Sequence, residues 1–201
     1  MLLAFDLDDV LAETMKELVL FHNDHYGTRH SFSDYTTYDH DQLWGCSREE
    51  ADRRHVKFRS SSYFHRIVPV EMAVDAAKEL RKKHGLVIIS ARPEDIRTAT
   101  EEWLNLYFKG IFSKVHFTNQ YDLTAQPRTK AQVCLKLGVD LMVDYALQHI
   151  DVCEAAGVPV ILYDPPWNRN GREDYRVLNW VDLVRKIEQT ELSRGRKPAK
   201  I

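Results

Sequence analysis

Long apolar runs are missing from this 201-residue chain. No stretch approaches the ~18 residues that a bilayer span requires, so no membrane partner is expected. Cysteine is scarce: Cys46, Cys134 and Cys153 are too few and too scattered for a disulfide framework. An odd count of that kind fits a reducing cytoplasm. An excess of one charge is also absent, because 28 Lys and Arg stand against 30 Asp and Glu, a formal net charge of -2. That balance gives no electrostatic reason to expect a nucleic acid polymer or an anionic membrane as partner. The N-terminus shows no basic region followed by a cleavable apolar segment; its first acid is Asp6, so a cytoplasmic location is the expectation. Internal repeats are lacking, and nothing in the sequence specifies an oligomeric state. What remains is ordinary globular material, 44% hydrophobic and 29% charged, long enough for one domain or one domain with a sizeable insertion.

Five short apolar runs, at 2–5, 86–89, 114–117, 141–143 and 158–163, read as strands. Helical spacing follows at 94–107, 130–137 and 147–156, and residues 72–83 precede the second strand. Gly138 and Gly157 stand where two of these helices should end. Such alternation predicts an α/β fold: a Rossmann-like parallel sheet in a three-layer α/β/α arrangement. The passage between the first two strands is far longer than a crossover needs. It holds helical segments at 15–26 and 47–60, the second opened by a Ser47-x-x-Glu50 capping box. The division expected is therefore a core of residues 1–12 and 71–192, a helical cap at 13–70, and a frayed basic tail at 193–201.

The first strand ends in two carboxylates, Asp6 and Asp8, spaced i, i+2. In parallel sheets ligands sit beyond the carboxyl ends of the strands, so both would face a crevice. A helix-capping role is the plain alternative. The second strand ends in Ser90-Ala91-Arg92-Pro93, where a hydroxyl and free backbone N–H groups can hold a phosphate or simply shape a turn. Lys130 opens a helix, against the helix dipole, and a fixed anion nearby would offset that cost; an exposed lysine is the plain reading. The fourth strand ends in Asp144, a further carboxylate or a further cap. Asp6, Asp8 and Asp144 together offer the oxygen-rich setting that Mg2+ prefers. Taken jointly, an Asp, a Ser, a Lys and an Asp at successive element ends point to phosphoryl transfer.

With these residues in place the chain resembles the haloacid dehalogenase superfamily of aspartate-nucleophile phosphatases. Phe5-Asp6-Leu7-Asp8-Asp9-Val10 looks like its first motif, Ser90 its second, Lys130 its third and Asp144 its fourth. Ser90-Ala91-Arg92-Pro93, Phe117-Thr118-Asn119 and Val160-Ile161-Leu162-Tyr163-Asp164-Pro165-Pro166-Trp167-Asn168 are most similar to the 5'(3')-deoxyribonucleotidase branch. The resemblance implies a phosphomonoester hydrolase in which Asp6 forms an aspartyl phosphate and Asp8 moves the proton. It implies phosphate contacts from Ser90, Ala91 and Lys130, and Mg2+ held by Asp6, Asp144 and the backbone carbonyl of Asp8. Arg92 either assists or forms a surface salt bridge. The substrate implied is a nucleotide or another small phosphorylated metabolite; water is the expected acceptor, though residues alone leave transfer to another acceptor open.

One departure stands out. The family's fourth motif commonly carries a second acid, but here Tyr145 follows Asp144, and Gln148 and His149 occupy the next turn. Asp151 lies a helical turn too far along. A phosphate-binding or regulatory protein with a weakened site is therefore the alternative reading. In the cap, Tyr26, Phe32, Tyr35, Tyr38, Trp44, Phe58, Tyr63 and Phe64 mostly build its small core, with one or two free to stack on a nucleobase. His22, His25, His30, His40, His55 and His65 read as a hydrated polar surface rather than a metal cluster.

Overall fold

The computed structural model describes residues 1–35, 40–119, 128–163 and 176–195. Strand β1 (Leu2–Phe5) is an apolar run that suits a position buried on both faces. The strands β2 (Gly85–Ser90), β3 (Val115–Phe117), β4 (Leu141–Asp144), β5 (Val160–Tyr163) and β6 (Arg176–Val177) join it in one sheet. All pairings are parallel and the order is β3-β2-β1-β4-β5-β6. The sheet thus has a sixth strand beyond the five expected. Its two residues, Arg176 and Val177, carry no apolar run that could announce a strand.

Alternation along the strands builds two cores. Leu3, Phe5, Ile88, Val143 and Ile161 face one side, where α5 (Ala73–Arg81), α6 (Arg97–Tyr107) and α9 (Trp180–Gly195) contribute Ala77, Trp103, Trp180 and Leu183. Ala4, Val87, Ile89, Met142 and Leu162 face the other, against Val133 and Cys134 of α7 (Lys130–Leu137) and Ile150 and Cys153 of α8 (Leu147–Ala155). The expected three layers are present. Trp180 ties the far end of the chain to the site loop: its ring stacks on Phe5 at 5.6 Å and its Nε1 donates to the Val10 carbonyl at 2.9 Å. Helix α9 runs to Gly195, three residues into the stretch expected to fray; residues 196–201 lie outside those described.

Between β1 and β2 the chain forms α1 (Thr14–Tyr26), a 3-10 turn (Phe32–Asp34), α2 (His40–Trp44), α3 (Arg48–Arg59) and α4 (Ser62–His65). It leaves and returns side by side, since Glu13 N–H donates to Val68 O and Val70 N–H to Leu11 O, both at 2.9 Å. This is a helical insertion after the first strand. Ser47 caps α3 by accepting from Glu50 N–H, whereas the Glu50 carboxylate turns to Arg53 and Arg54, so the anticipated capping box is only half formed. Phe21, Tyr35, Trp44, Phe58 and Phe64 are buried in its interior. The histidines depart from expectation: His22 and His40 are buried, not hydrated. His22 lies flat on Trp44 at 4.3 Å, and His40 Nδ1 sits 3.2 Å from His55 Nε2. Imidazole has enough apolar face to pack once its nitrogens are partnered. Tyr38, among the cap aromatics, lies outside the described residues.

Candidate functional site

Parallel register places Phe5 level with Ile88 on one side and with Val143 on the other, so Asp6 and Asp144 emerge from neighbouring strands at the same height. The Asp6 N–H donates to Val143 O at 2.9 Å, which fixes that level. The strand order reverses between β1 and β4, and open α/β sheets gather ligands at such a switch point. Both side chains share the α7–α8 face with Ala4 and Met142.

Lys130 supplies the third corner. Thr129 caps α7 by accepting from Gln132 N–H at 3.1 Å, and Gln132 Oε1 accepts from Thr129 N–H in return. The first residue of α7 is thereby aimed at the strand ends. Lys130 Nζ lies 2.8 Å from Asp6 Oδ1 and 2.7 Å from Asp144 Oδ2. At 2% exposure it is no surface lysine. Asp6 Oδ1 also accepts from Leu7 N–H at 2.8 Å, while among the described residues Asp6 Oδ2 accepts no hydrogen bond. Asp144 Oδ1 accepts from Ala146 N–H at 2.9 Å, so the residue caps the turn into α8 as well as facing the site.

The charges divide unevenly. Burial, with Asp144 and Asp8 nearby, pushes the Asp6 carboxyl up to about 8 despite Lys130. Asp144 is held well below the usual carboxylate range: burial opposes its ionisation, but Lys130 and then His149 outweigh it. Burial likewise works against the Lys130 ammonium, and the two carboxylates overcome it. Without a cation Asp6 therefore favours its protonated form near neutral pH, and a cation beside it would favour the ionised carboxylate.

Asp8 lies one loop further on and faces elsewhere. Nε and Nη2 of Arg92 donate to its carboxylate at 2.7 to 3.2 Å, and the Thr14 hydroxyl donates to it too. Burial would raise the Asp8 pKa, yet Arg92 and Thr14 bring it below the ordinary value. Arg92 is itself buried and donates to Thr100 Oγ1 at 3.0 Å, so its pairing with Asp8 is a buried one and not a surface salt bridge. Asp9, at φ 53°, folds back so that its Oδ1 accepts from Met15 N–H at 2.9 Å and starts α1. Of this motif's acids, then, Asp9 performs the capping and Asp6 is free for other work.

Ser90 is fully buried at the end of β2, where its Oγ accepts from Arg92 N–H at 3.1 Å; Ala91 is half-buried beside it. Thr118 pairs its N–H with Ser90 O, and among the described residues its buried hydroxyl has no partner. Sequence reasoning gave no site role to Thr14, Thr118 or His149, and left Arg92 open. Arg92 and Asp8 are 84 residues apart, beyond any local pattern.

One cluster of metal-binding type occurs among the described residues: Asp6, Asp144 and His149, whose ligand atoms lie within 4.8 Å of one another. His149 Nδ1 stands 3.3 Å from Asp144 Oδ2. The Asp8 carboxylate is not part of this cluster, so any share it has in holding a cation falls to its backbone carbonyl. A divalent cation fits a donor set of two carboxylates and an imidazole, where among the described residues Asp6 Oδ2 accepts no hydrogen bond.

Comparison with known proteins supplies a family and a fold. The family described as "5' nucleotidase, deoxy (Pyrimidine), cytosolic type C protein" matches residues 1–191. A 5'(3')-deoxyribonucleotidase of Bacillus subtilis (strain 168) is 24% identical over 193 residues, covering 92% of this chain and 97% of the relative. A 5'(3')-deoxyribonucleotidase of Bacillus phage SPbeta matches equally. Among solved structures, a conserved haloacid dehalogenase-like protein of Agrobacterium tumefaciens superposes with a TM-score of 0.68 at 15% identity, covering 94% of this chain and 98% of that one. A haloacid dehalogenase family hydrolase of Deinococcus radiodurans, solved with phosphate and sodium, gives 0.65 at 15% identity over 94% and 96%.

Proposed function

The chain belongs to the cytosolic type C family of deoxy 5'-nucleotidases and is a haloacid dehalogenase-like phosphatase, and from this we propose that it hydrolyses a nucleotide phosphomonoester through an Asp6 aspartyl phosphate. The observation that carries the reading is Lys130 Nζ bridging Asp6 and Asp144 at the switch point of the sheet. Asp6, its Oδ1 steadied by Leu7 N–H and Lys130, would attack phosphorus, splitting one displacement into two easier ones. Lys130 and Ser90, with the Ala91 backbone, would hold phosphoryl oxygens as charge builds in the transition state.

Asp8 would protonate the leaving alkoxide and then take a proton from the water that opens the aspartyl phosphate. Its pairing with Arg92 favours the ionised form that the second half requires. An incoming phosphate dianion competes for Arg92, and that competition lets Asp8 carry a proton in the first half. Mg2+, held by Asp6, Asp144 and the Asp8 carbonyl, would supply charge neutralisation between a carboxylate nucleophile and an anionic substrate. The phosphate in the Deinococcus structure supports an anion site in this fold.

The matching family and the two deoxyribonucleotidase relatives support reading the substrate as a nucleotide and the setting as cytoplasmic. The test is phosphate release from a panel of nucleoside monophosphates and sugar phosphates with Mg2+. Release from a nucleotide is expected, falling by at least ~10³-fold in Asp6→Asn. Nucleotide binding without release under any divalent cation would instead favour the second reading, a phosphate-binding regulator. That reading draws on Tyr145, which stands where the second acid is common and packs against the larger core.

A further inference from the structure

Where the sequence lacks its second fourth-motif acid, the fold brings another donor. His149 lies in the first turn of α8, five residues after Asp144, and is buried. Its backbone N–H donates to Ala146 O at 2.9 Å, and Ala146 N–H donates to Asp144 Oδ1 at 2.9 Å, so one short turn links the His149 backbone to the Asp144 carboxylate. Tyr145 leaves in the other direction, toward the larger core. Nδ1 is the nitrogen that faces Asp144, at 3.3 Å from Oδ2, and the donor atoms of Asp6, Asp144 and His149 fall within 4.8 Å of one another.

Two consequences follow from donor chemistry. An acid at this place would bring a second negative charge and a hard oxygen; an imidazole brings neither, so attraction for Mg2+ is weakened. Imidazole nitrogen is instead a good ligand for later first-row divalent ions, and geometry and donor type are the means by which proteins select among them. We propose that His149 Nδ1 is a direct ligand of the divalent cation at this site, alongside the Asp6 and Asp144 carboxylates, and biases the site from Mg2+ toward first-row transition cations, Co2+ more than Mn2+. The inference rests on the reading above that the Asp6–Asp144 pair holds a divalent ion, and it concerns which ion and through which residue.

Binding, not turnover, tests it. The full-length protein with 15N-labelled histidine is loaded with Mn2+ and examined by pulsed electron paramagnetic resonance. A directly bonded nitrogen coupling is expected, and its loss in His149→Gln. Calorimetry with each metal alone gives the second readout. In His149→Gln, Co2+ affinity should fall by more than the ~10–100-fold that losing an outer-shell partner costs, and Mn2+ affinity by less than that of Co2+. Mg2+ affinity should stay nearly constant. His149→Asp should reverse the bias, strengthening Mg2+ relative to Co2+.

Absence of a nitrogen coupling, or equal losses for all three metals, would overturn the proposal and leave His149 as a positioning residue for Asp144. Failure of the underlying reading looks different: no divalent ion would bind the wild-type protein in a manner sensitive to Asp144→Asn. A protein that binds Mg2+ and releases phosphate with no contribution from His149 refutes this inference alone.

Discussion

Arg92 and Asp8 show how much of this site is set by a single pair of side chains. Two nitrogens of one guanidinium grip the carboxylate, Thr14 adds a hydroxyl, and Thr100 holds the arginine from behind. Bidentate pairing of this kind is directional, which a lysine ammonium cannot reproduce. The arginine lowers the Asp8 pKa, so its removal should raise it. Where Asp8 is the base that opens the aspartyl phosphate, the acid limb of kcat then moves to higher pH. In Arg92→Ala, kcat measured near pH 6 should fall by about 10²-fold, within the range of general acid–base contributions, and recover partly at alkaline pH. Arg92→Lys should shift the limb less. A limb that stays put in both variants would mean that Asp8 is not the titrating base.

At the scale of elements, α7 is the part whose local sequence matters most to the site. Its capping box, Thr129 with Gln132, decides where the helix begins and so where Lys130 points. Thr129→Ala should cost about 1 kcal/mol in denaturant unfolding, the usual value of a lost N-cap. It should also lower kcat more than it raises KM, because Lys130 would act chiefly on the transition state. An unchanged kcat with reduced stability would separate capping from aim.

The same element was readable from sequence, with Thr129 before it and Gly138 after it at φ 67°. The strands bearing Asp6, Ser90 and Asp144 were readable too, because buried parallel strands are short continuous apolar runs. Helix α9 carries Trp180, Leu183, Val184 and Ile187 at helical spacing, a signal that was present but unused. The five-residue α2 and four-residue α4 are too short for any periodicity to mark. Burial of His22 and His40 was hidden for another reason. It depends on Trp44, Tyr35 and His55 arriving from other parts of the insertion, not on neighbours along the chain.

For the molecule as a whole, those histidines make the helical insertion the acid-sensitive part. Burial pushes the His22 imidazole down to about 4, with Arg54 adding to the effect, and the His55 imidazole down to about 3, with His40 adding. Each would titrate near 6.5 in the unfolded chain. Between about 6.5 and 4 the unfolded state therefore binds protons that the folded state refuses, and stability must fall as pH falls through that window.

Asp6 contributes with the opposite sign, since a carboxyl held up near 8 makes the cation-free fold gain stability as pH drops toward 4. A raw pH–stability curve mixes the two effects, so the informative quantity is a difference. Urea midpoints of the wild type and of a His22→Gln, His55→Gln double variant, taken from pH 7.5 to 4.5, should converge as pH falls, with the variant markedly less acid-labile. Parallel curves would show that both imidazoles titrate normally in the folded protein, and would place its acid response in the carboxylates at the strand ends instead.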